Sequence, residues 1–210
     1  MLFRSIAELQ QEGGEVIKKE RKHFVDGTFW RVLPASEPDV DILIVRDTDS
    51  RIGLRERIAV DAWLQSGKGF HIIRDHPFHD TPILAGLWGR RNHIVPQMAW
   101  LIDRWKRFAR KGDDQEFLSR CIYPRVRHDA LIHTEFSQYK GEITERIPVP
   151  REGSEYLGCS FLANGALRTE RSSALDLFKQ KPRVLPLPIR VTNFLSEWQR
   201  RRDDRAFAAR

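Results

Sequence analysis

Two aspartates, Asp47 and Asp49, stand one residue apart directly after the apolar run in DILIVRDTDSR. Residues two apart in an extended chain point to the same side, so both carboxylates can face one ligand. Carboxylate oxygens suit Mg²⁺ or Mn²⁺, which bind with few protein ligands and keep positions open for phosphate oxygens. The flanking Arg46 and Arg51 would contact those phosphates or simply balance the acids. The alternative is that Asp49 and Ser50 only cap the helix that follows.

The histidine at the end of ALIH, His133, is a candidate third ligand. A neutral imidazole binds Mn²⁺ well. Together with Asp47 and Asp49 it would give a metal site of three residues. The alternative is a core or loop histidine that hydrogen-bonds the backbone.

A second polar cluster, RDHPFHD, ends another apolar run and contains Arg74, Asp75, His76 and His79. Acids and histidines at a strand end can recognise sugar hydroxyls, and a turn shaped by Pro77 is the alternative. A structural zinc site is disfavoured, because no cysteine or further histidine lies close by in the sequence.

The segment GDDQEFL places acids at the start of a predicted helix. Acids at that position interact favourably with the helix dipole. The functional alternative is that Asp114 or Gln115 projects into a crevice and stabilises a reacting centre.

Apolar runs alternate with helical patterns along the chain, which predicts an α/β fold with a mixed, mostly parallel sheet flanked by helices. Nearly continuous β-branched residues over 40–46 predict a strand buried on both faces. The patterns predict further strands over 70–77 and 130–133, and helices over 54–67, 94–112 and the stretch from Gln115 to Pro124.

A chain of 210 residues is long enough for one domain with a sizeable core. We expect one α/β domain over residues 1–210, with its core over about 24–140, a loop-rich stretch over 140–190 and a basic helix over 191–210. Two cysteines far apart in the sequence give no disulfide framework, which favours a cytoplasmic location. No apolar run approaches the roughly 20 residues that cross a bilayer.

The formal net charge is +7, and residues 181–210 carry eight Lys/Arg against three Asp/Glu. Such a tail fits nucleic acid, anionic lipid or a phosphorylated ligand, and a solvated helix end is the plainer alternative. The nearly balanced remainder argues against a dedicated nucleic-acid binder. Peripheral contact of the tail at the inner membrane surface stays open.

Four segments carry a family resemblance: FWRVLPASEPDVDILIVRDTDSRIGLRERIAVDAWL, FHIIRDHPFHDTPILAGLWG, DDQEFLSRCIYP and ALIHTEF. Together they resemble bacterial and viral glycosyltransferase-like proteins of the glycosyltransferase-A (nucleotide-diphospho-sugar transferase) superfamily. The resemblance covers about residues 29–136, half of the chain. Only some 39 residues precede the first predicted strand, so by this resemblance the nucleotide-binding half of the fold is either shortened here or lies outside this sequence.

The resemblance also implies roles for individual residues. In that superfamily an Asp-x-Asp holds Mn²⁺ or Mg²⁺ against the diphosphate of the sugar nucleotide, and a later histidine often completes the metal site. These roles fall on Asp47, Asp49 and His133. An Asp-Gln-Asp-like segment near the donor sugar falls on Asp114 and Gln115, although Glu116 stands at its third position.

The acceptor would enter beside RDHPFHD and GLWG, where Trp88 either stacks on a sugar ring or belongs to the core. The activity implied is a metal-dependent transfer of sugar from a nucleotide-diphospho-sugar to a saccharide or glycolipid. Two alternatives remain open. One is a non-catalytic member that binds a partner, and the other is a metal-dependent nuclease or phosphodiesterase.

Overall fold

The computed structural model describes residues 6–21, 26–92, 94–105, 112–168 and 183–186. Its helices are α1 (Ile6–Gln11), α2 (Asp26–Trp30), α3 (Leu54–Ser66), α4 (Met98–Trp105), α5 (Asp113–Phe117) and α6 (Tyr123–Val126), with a π-helical turn (Leu118–Ile122) and 3₁₀ turns (Leu33–Ser36 and Arg127–Asp129). Its strands are β1 (Ile42–Arg46), β2 (Phe70–Arg74), β3 (Leu87–Arg91), β4 (Ala130–Thr134), β5 (Ser137–Tyr139) and β6 (Arg183–Leu185). The basic helix predicted over 191–210 lies outside the described residues.

Four strands form the main sheet in the order β1-β3-β2-β4, and β5 and β6 form a separate parallel pair. In the main sheet β3 pairs antiparallel with both β1 and β2, whereas β2 and β4 are parallel. The protein is therefore mixed α/β, as predicted. The expectation of a mostly parallel sheet is wrong for the pairings, because β3 runs between β1 and β2 in the opposite direction. Strands β1, β2 and β4 do share one direction.

Helices cover both faces of this sheet. The larger core lies on the face that carries Val45, Trp88 and Ile72, and it includes residues around α2, α4 and α5 such as Phe29, Met98 and Phe117. We call this face A. The opposite face, face B, packs against α3 through smaller clusters around Trp63 and Ala59. Because side chains alternate along a strand, neighbouring residues of one strand belong to different faces.

Strand β1 is not buried on both faces, contrary to the prediction. Ile42 and Ile44 are 41% and 40% exposed, and Val45 is the buried residue of the strand. The reason is position, because β1 is the last strand at one side of the main sheet. The continuous burial expected for β1 occurs instead in β2 and β4, where all five residues of each strand are buried.

In the part of the chain that the structure describes, no helix combines the length and apolar character needed to cross a membrane.

Candidate functional site

The shared direction of β1, β2 and β4 brings their carboxyl ends to the same edge of the main sheet. Asp47 directly follows β1, and Asp75 directly follows β2. Ligands of open α/β sheets bind in the crevice outside the carboxyl ends of the strands. This edge is therefore the candidate site, and the outcome for each predicted residue depends on the face to which its side chain belongs.

Asp47 lies at this edge on face A, in line with Val45. Its carboxylate is 45% exposed and forms an ion pair with Arg31, which follows α2. On the other side the carboxylate packs against Gly86, and a Cβ built on that glycine would overlap it. The Asp47 carboxylate therefore lies between the Arg31 guanidinium and the backbone of Gly86, and nearly half of its side chain is open to solvent.

Asp49 and Ser50 belong to a turn that precedes α3 but does not cap it. The Ser50 hydroxyl donates to the Asp47 carbonyl at 2.7 Å, and α3 begins only after Gly53. The Asp49 carbonyl accepts a hydrogen bond from the Phe161 N–H at 2.8 Å, and its side chain is exposed. The capping alternative is therefore wrong, and the Asp49 carboxylate is available to a ligand.

Gln115 connects α5 to the chain segment that supports Asp47. Its Oε1 accepts from the Ala85 N–H at 3.0 Å, and its Nε2 donates to the Thr81 hydroxyl at 2.5 Å and the Ile83 carbonyl at 2.6 Å. Ala85 immediately precedes Gly86. The side-chain amide of Gln115 is thus used to fix the segment 81–86 and does not point freely into a crevice.

Asp114 precedes Gln115 on α5 and is 7% exposed. Among the described residues none forms a hydrogen bond or ion pair with its carboxylate. Buried carboxylates are ordinarily paired, because an unpaired charge away from water is costly. Asp114 is therefore a largely buried acid in the first turn of α5, where the helix dipole favours a negative charge.

The two arginines beside the aspartates do not face an open phosphate site. Arg46 points to face B, where it forms an ion pair with Glu56 of α3, with side chains only 8% and 2% exposed. Arg51 lies over the Phe161 ring at 4.1 Å and donates to the Gly165 carbonyl at 3.1 Å. Arg46 is therefore a structural link between β1 and α3, which corrects its predicted role, and Arg51 joins the turn to residues 161–165.

His133 does not join the two aspartates, which corrects the predicted three-residue metal site. Its strand β4 is the outermost strand on the far side of the main sheet from β1, about 14 Å away at the usual strand spacing. Its Nδ1 lies 2.9 Å from Nε2 of His71, which stacks on Trp63 of α3, so the ring belongs to face B. Burial lowers the pKa of His133 to about 4, and it also lowers that of His71.

The remaining donor set suits a hard divalent cation but not a closed metal centre. The described residues contain no group of three His, Cys, Asp or Glu side chains arranged to hold a metal ion. Asp47 and Asp49 remain, and Mg²⁺ is typically bound by one or two carboxylates together with substrate phosphates. Asp47 and Asp49 lie in one β-turn, in which the Ser50 N–H donates to the Asp47 carbonyl at 3.1 Å, so the extended alternation behind the prediction does not apply to them. Each carboxylate is individually open to a cation that arrives with a phosphorylated ligand.

The first half of the predicted acceptor cluster is buried and internally paired. Arg74 and Glu142 form an ion pair at 2.7 Å with both side chains 0% exposed. Asp75 is paired with Arg55 of α3 and accepts from the Leu157 N–H at 2.8 Å. Burial raises the pKa of Asp75, against the lowering effect of Arg55. These side chains anchor the chain after β2 and do not line an acceptor surface, which corrects the prediction.

The second half of that cluster is also closed. His76 and His79 are 0% and 6% exposed and pack around Tyr156, with ring centroids 4.3 and 5.5 Å away. Nδ1 of His79 accepts from the Asp75 N–H at 3.1 Å. Phe78, between the two histidines, is 54% exposed. Of the aromatic rings in this segment, Phe78 is the one that a ligand can reach.

Trp88 is a core residue, so the sugar-stacking alternative is wrong. Its side chain is 0% exposed, its ring stacks on Phe70 at 5.4 Å, and its Nε1–H donates to the Ala85 carbonyl at 3.2 Å. Trp88 thus supports the segment before β3 from inside the core.

Two residues of this edge were not singled out from the sequence. Arg31 lies inside the segment FWRVLP, but no local pattern connects it with an aspartate 16 positions later. Gly86 stands in a run of small residues that suggests close approach of the backbone, and the structure identifies Asp47 as the group that approaches.

Comparison with known protein families, with curated proteins and with solved structures finds no match for this chain.

Proposed function

We propose that the chain is a metal-dependent glycosyltransferase, which moves a sugar from a nucleotide-diphospho-sugar to a saccharide or glycolipid acceptor. One observation carries the proposal: Asp47 rests on Gly86, and the adjacent Ala85 is held by Gln115. The two motifs of the sequence resemblance, which are far apart in the chain, are thus joined through one short segment at the carboxyl edge of the sheet.

Asp47 and Asp49 are the residues that would hold Mn²⁺ or Mg²⁺. Bound there with a sugar nucleotide, the ion would neutralise the negative charge that develops on the departing diphosphate. The half-exposed carboxylate of Asp47 and the exposed side chain of Asp49 suit that role, because each leaves room for solvent or phosphate oxygens. His133 has no part in this proposal.

Asp114 and Gln115 receive different roles. We assign to the buried Asp114 carboxylate the stabilisation of the positive charge that a sugar ring acquires as its glycosidic bond to the diphosphate breaks. Gln115 is a positioning residue, because its three hydrogen bonds hold residues 81, 83 and 85 of the segment that supports Asp47. The Gln115 side chain thereby keeps Gly86 under Asp47.

The buried residues after β2 leave Phe78 as the expected acceptor contact. The Phe78 ring is 54% exposed, and its centroid lies 5.2 Å from that of the buried His76 ring, which packs against it on one side. Aromatic rings offer apolar faces on which sugar rings stack. We therefore place the acceptor beside Phe78.

The test is release of nucleoside diphosphate from a panel of UDP- and GDP-sugars with Mn²⁺ present and water as the acceptor. We expect release with at least one donor, and a loss of about 100-fold or more in Asp47→Asn and Asp114→Asn. Asp61→Asn is the matched control, because Asp61 is 44% exposed on α3 and pairs only with Arg57 among the described residues. The control should keep the wild-type rate.

Two results would point elsewhere. A folded wild type that releases no diphosphate from any donor would favour a non-catalytic member that binds a partner. Cleavage of a phosphodiester that requires Asp47 would favour a nuclease instead. The position of His133 on face B, paired with His71, already removes one of the three groups on which the nuclease alternative relied.

A further inference from the structure

Two ion pairs flank the end of β1, and they differ in exposure. Arg46 and Glu56 are 8% and 2% exposed, whereas Arg31 and Asp47 are 31% and 45% exposed. A buried pair is difficult to separate, because each charge would be left without a partner. A pair that is open to water contributes little to stability and is easily exchanged. The Arg31–Asp47 contact is therefore replaceable, and it occupies the carboxylate proposed to receive the cation.

The backbone on which Arg31 stands is fixed. Phe29, two residues before it, and Val32, directly after it, are both 0% exposed, and the Val32 N–H donates to the Phe29 carbonyl at 2.9 Å. An exchange of partners at Asp47 therefore involves the Arg31 side chain and not its backbone. On the other side of the carboxylate, Gly86 leaves no space into which Asp47 could retreat. A cation that binds Asp47 must therefore compete with the guanidinium.

We propose that Arg31 is an internal counter-ion, which pairs with Asp47 in the free protein and transfers to a nucleoside diphosphate when a divalent cation takes the carboxylate. This inference rests on the proposed function. A guanidinium fork binds carboxylate and phosphate in the same bidentate way, so the exchange replaces one charged partner with another.

The exchange makes binding of the cation and of the nucleotide interdependent. The cation alone has to displace Arg31 and leaves it without a partner, so it binds weakly. The cation with a diphosphate gives Arg31 a new anion, so the two bind well together. By linkage the coupling is reciprocal, and each ligand raises the affinity of the other by the same factor. Arg31 thus selects the cation–diphosphate complex over either ligand alone.

The test is isothermal titration of the full chain with Mn²⁺ alone, and with UDP or GDP at saturating Mn²⁺, for wild type, Arg31→Gln and Arg31→Lys. We expect Arg31→Gln to bind Mn²⁺ alone about 3-fold or more tightly, because the competing charge is gone. The same variant should bind the nucleotide about 10-fold more weakly, because a charged hydrogen bond to phosphate is lost. Arg31→Lys keeps the charge without the fork, so only nucleotide binding should fall.

Arg57→Gln is the matched control, since Arg57 forms an exposed arginine–aspartate pair with Asp61 on α3, with exposures of 73% and 44%. Its affinities should stay within about 2-fold of wild type. Opposite changes for Mn²⁺ and nucleotide in Arg31→Gln alone would support the exchange. Equal weakening of both, or no change in either, would overturn it.

The outcomes for the proposed function are separate. Wild type that binds Mn²⁺ with a nucleotide, but with Arg31→Gln unchanged, leaves the proposed function standing and removes the role of Arg31. Wild type that binds no nucleotide removes the proposed function, and tighter Mn²⁺ binding in Arg31→Gln would then still show that the arginine competes for the carboxylate. Absence of Mn²⁺ binding in wild type and in Arg31→Gln, both alone and with a nucleotide present, would overturn both.

Discussion

At the scale of single residues, the site depends on a glycine that leaves room for a carboxylate. Gly86 lies beneath the Asp47 carboxylate, and a side chain there would overlap it. The position of Asp47 is therefore set by a residue that carries no functional group. Arg31 and Gln115 complete the arrangement from α2 and α5, so three separate parts of the chain determine where one carboxylate stands.

Gly86→Ala tests this directly. The added methyl group must push the Asp47 carboxylate aside, so we expect Mn²⁺-dependent binding of UDP or GDP to fall by about 10-fold or more, with a smaller loss of stability. Calorimetry and urea unfolding measure the two effects. Gly27→Ala is the matched control, because a Cβ there has no atom within 4 Å. Unchanged nucleotide binding in Gly86→Ala would contradict the role given to this glycine.

Gln115→Glu tests the support of the segment 81–85. The change keeps an acceptor for the Ala85 N–H but removes the two bonds donated to Thr81 and Ile83. We expect a loss of about 1–3 kcal/mol in the free energy of unfolding, because buried acceptors lose their donors. Gln97→Glu, at an exposed position on the surface, should lose almost nothing. Equal stabilities of the two variants would show that the bonds of Gln115 are not important.

At the scale of elements, the sequence predicts three of the six described strands and the longer helices, but not their arrangement. The periodicities locate β1, α3, β2 and β4 to within a few residues. Strand β3 is missed, because its Gly89 and the preceding Ala85 and Gly86 weaken the strand pattern. Gly89 lets α3 pack closely on β3, since a Cβ there would lie 3.0 Å from the Trp63 ring, tighter than an ordinary contact. The missing strand also explains the error in the predicted pairings.

Faces and partners could not be predicted either. Asp47 and His133 both stand near the carboxyl ends of strands that run in one direction, and the resemblance assigned them to one metal site. The alternation of each strand, however, assigns Asp47 to face A with Val45, and His133 to face B with Leu131. Which helix covers which face is decided by packing between distant segments, and a single sequence does not contain that information in a local pattern.

Trp88 shows how the two interpretations of an aromatic residue can be separated. As a core residue of β3 at 0% exposure, it should cost about 3–5 kcal/mol of unfolding free energy when replaced by alanine. A ring that only stacked on a sugar would lower ligand binding and leave stability unchanged. Chemical denaturation of Trp88→Ala beside Trp100→Ala, whose ring is 55% exposed on α4, distinguishes the two.

At the scale of the whole molecule, the buried pair of His71 and His133 makes stability depend on pH. Burial favours the neutral rings, and the pKa of His133 falls to about 4 from 6.5. The unfolded chain therefore takes up a proton near pH 6.5, whereas the folded chain does so only near pH 4. Stability is fully present above pH 6.5 and is lost as the pH falls between these values.

For His133 alone this loss amounts to about 3 kcal/mol between pH 7.5 and pH 4. Urea unfolding across that range measures it, with His133→Leu expected to show a shallower slope than wild type. His128 is exposed on the surface, so His128→Gln should follow the wild-type profile. A wild-type stability that stays constant or increases toward pH 4 would contradict the buried neutral pair.

The most direct measurement of the central claim is a calorimetric titration of UDP and GDP, with and without Mn²⁺, on wild type, Asp49→Ala and Asp39→Ala. Asp39 is the control because it is an exposed aspartate that precedes β1, at the opposite end of the strand from Asp49. We predict binding that requires Mn²⁺, disappears in Asp49→Ala and persists in Asp39→Ala. Absence of nucleotide binding by folded wild type, or equal binding by Asp49→Ala, would contradict a cation–diphosphate site at the end of β1.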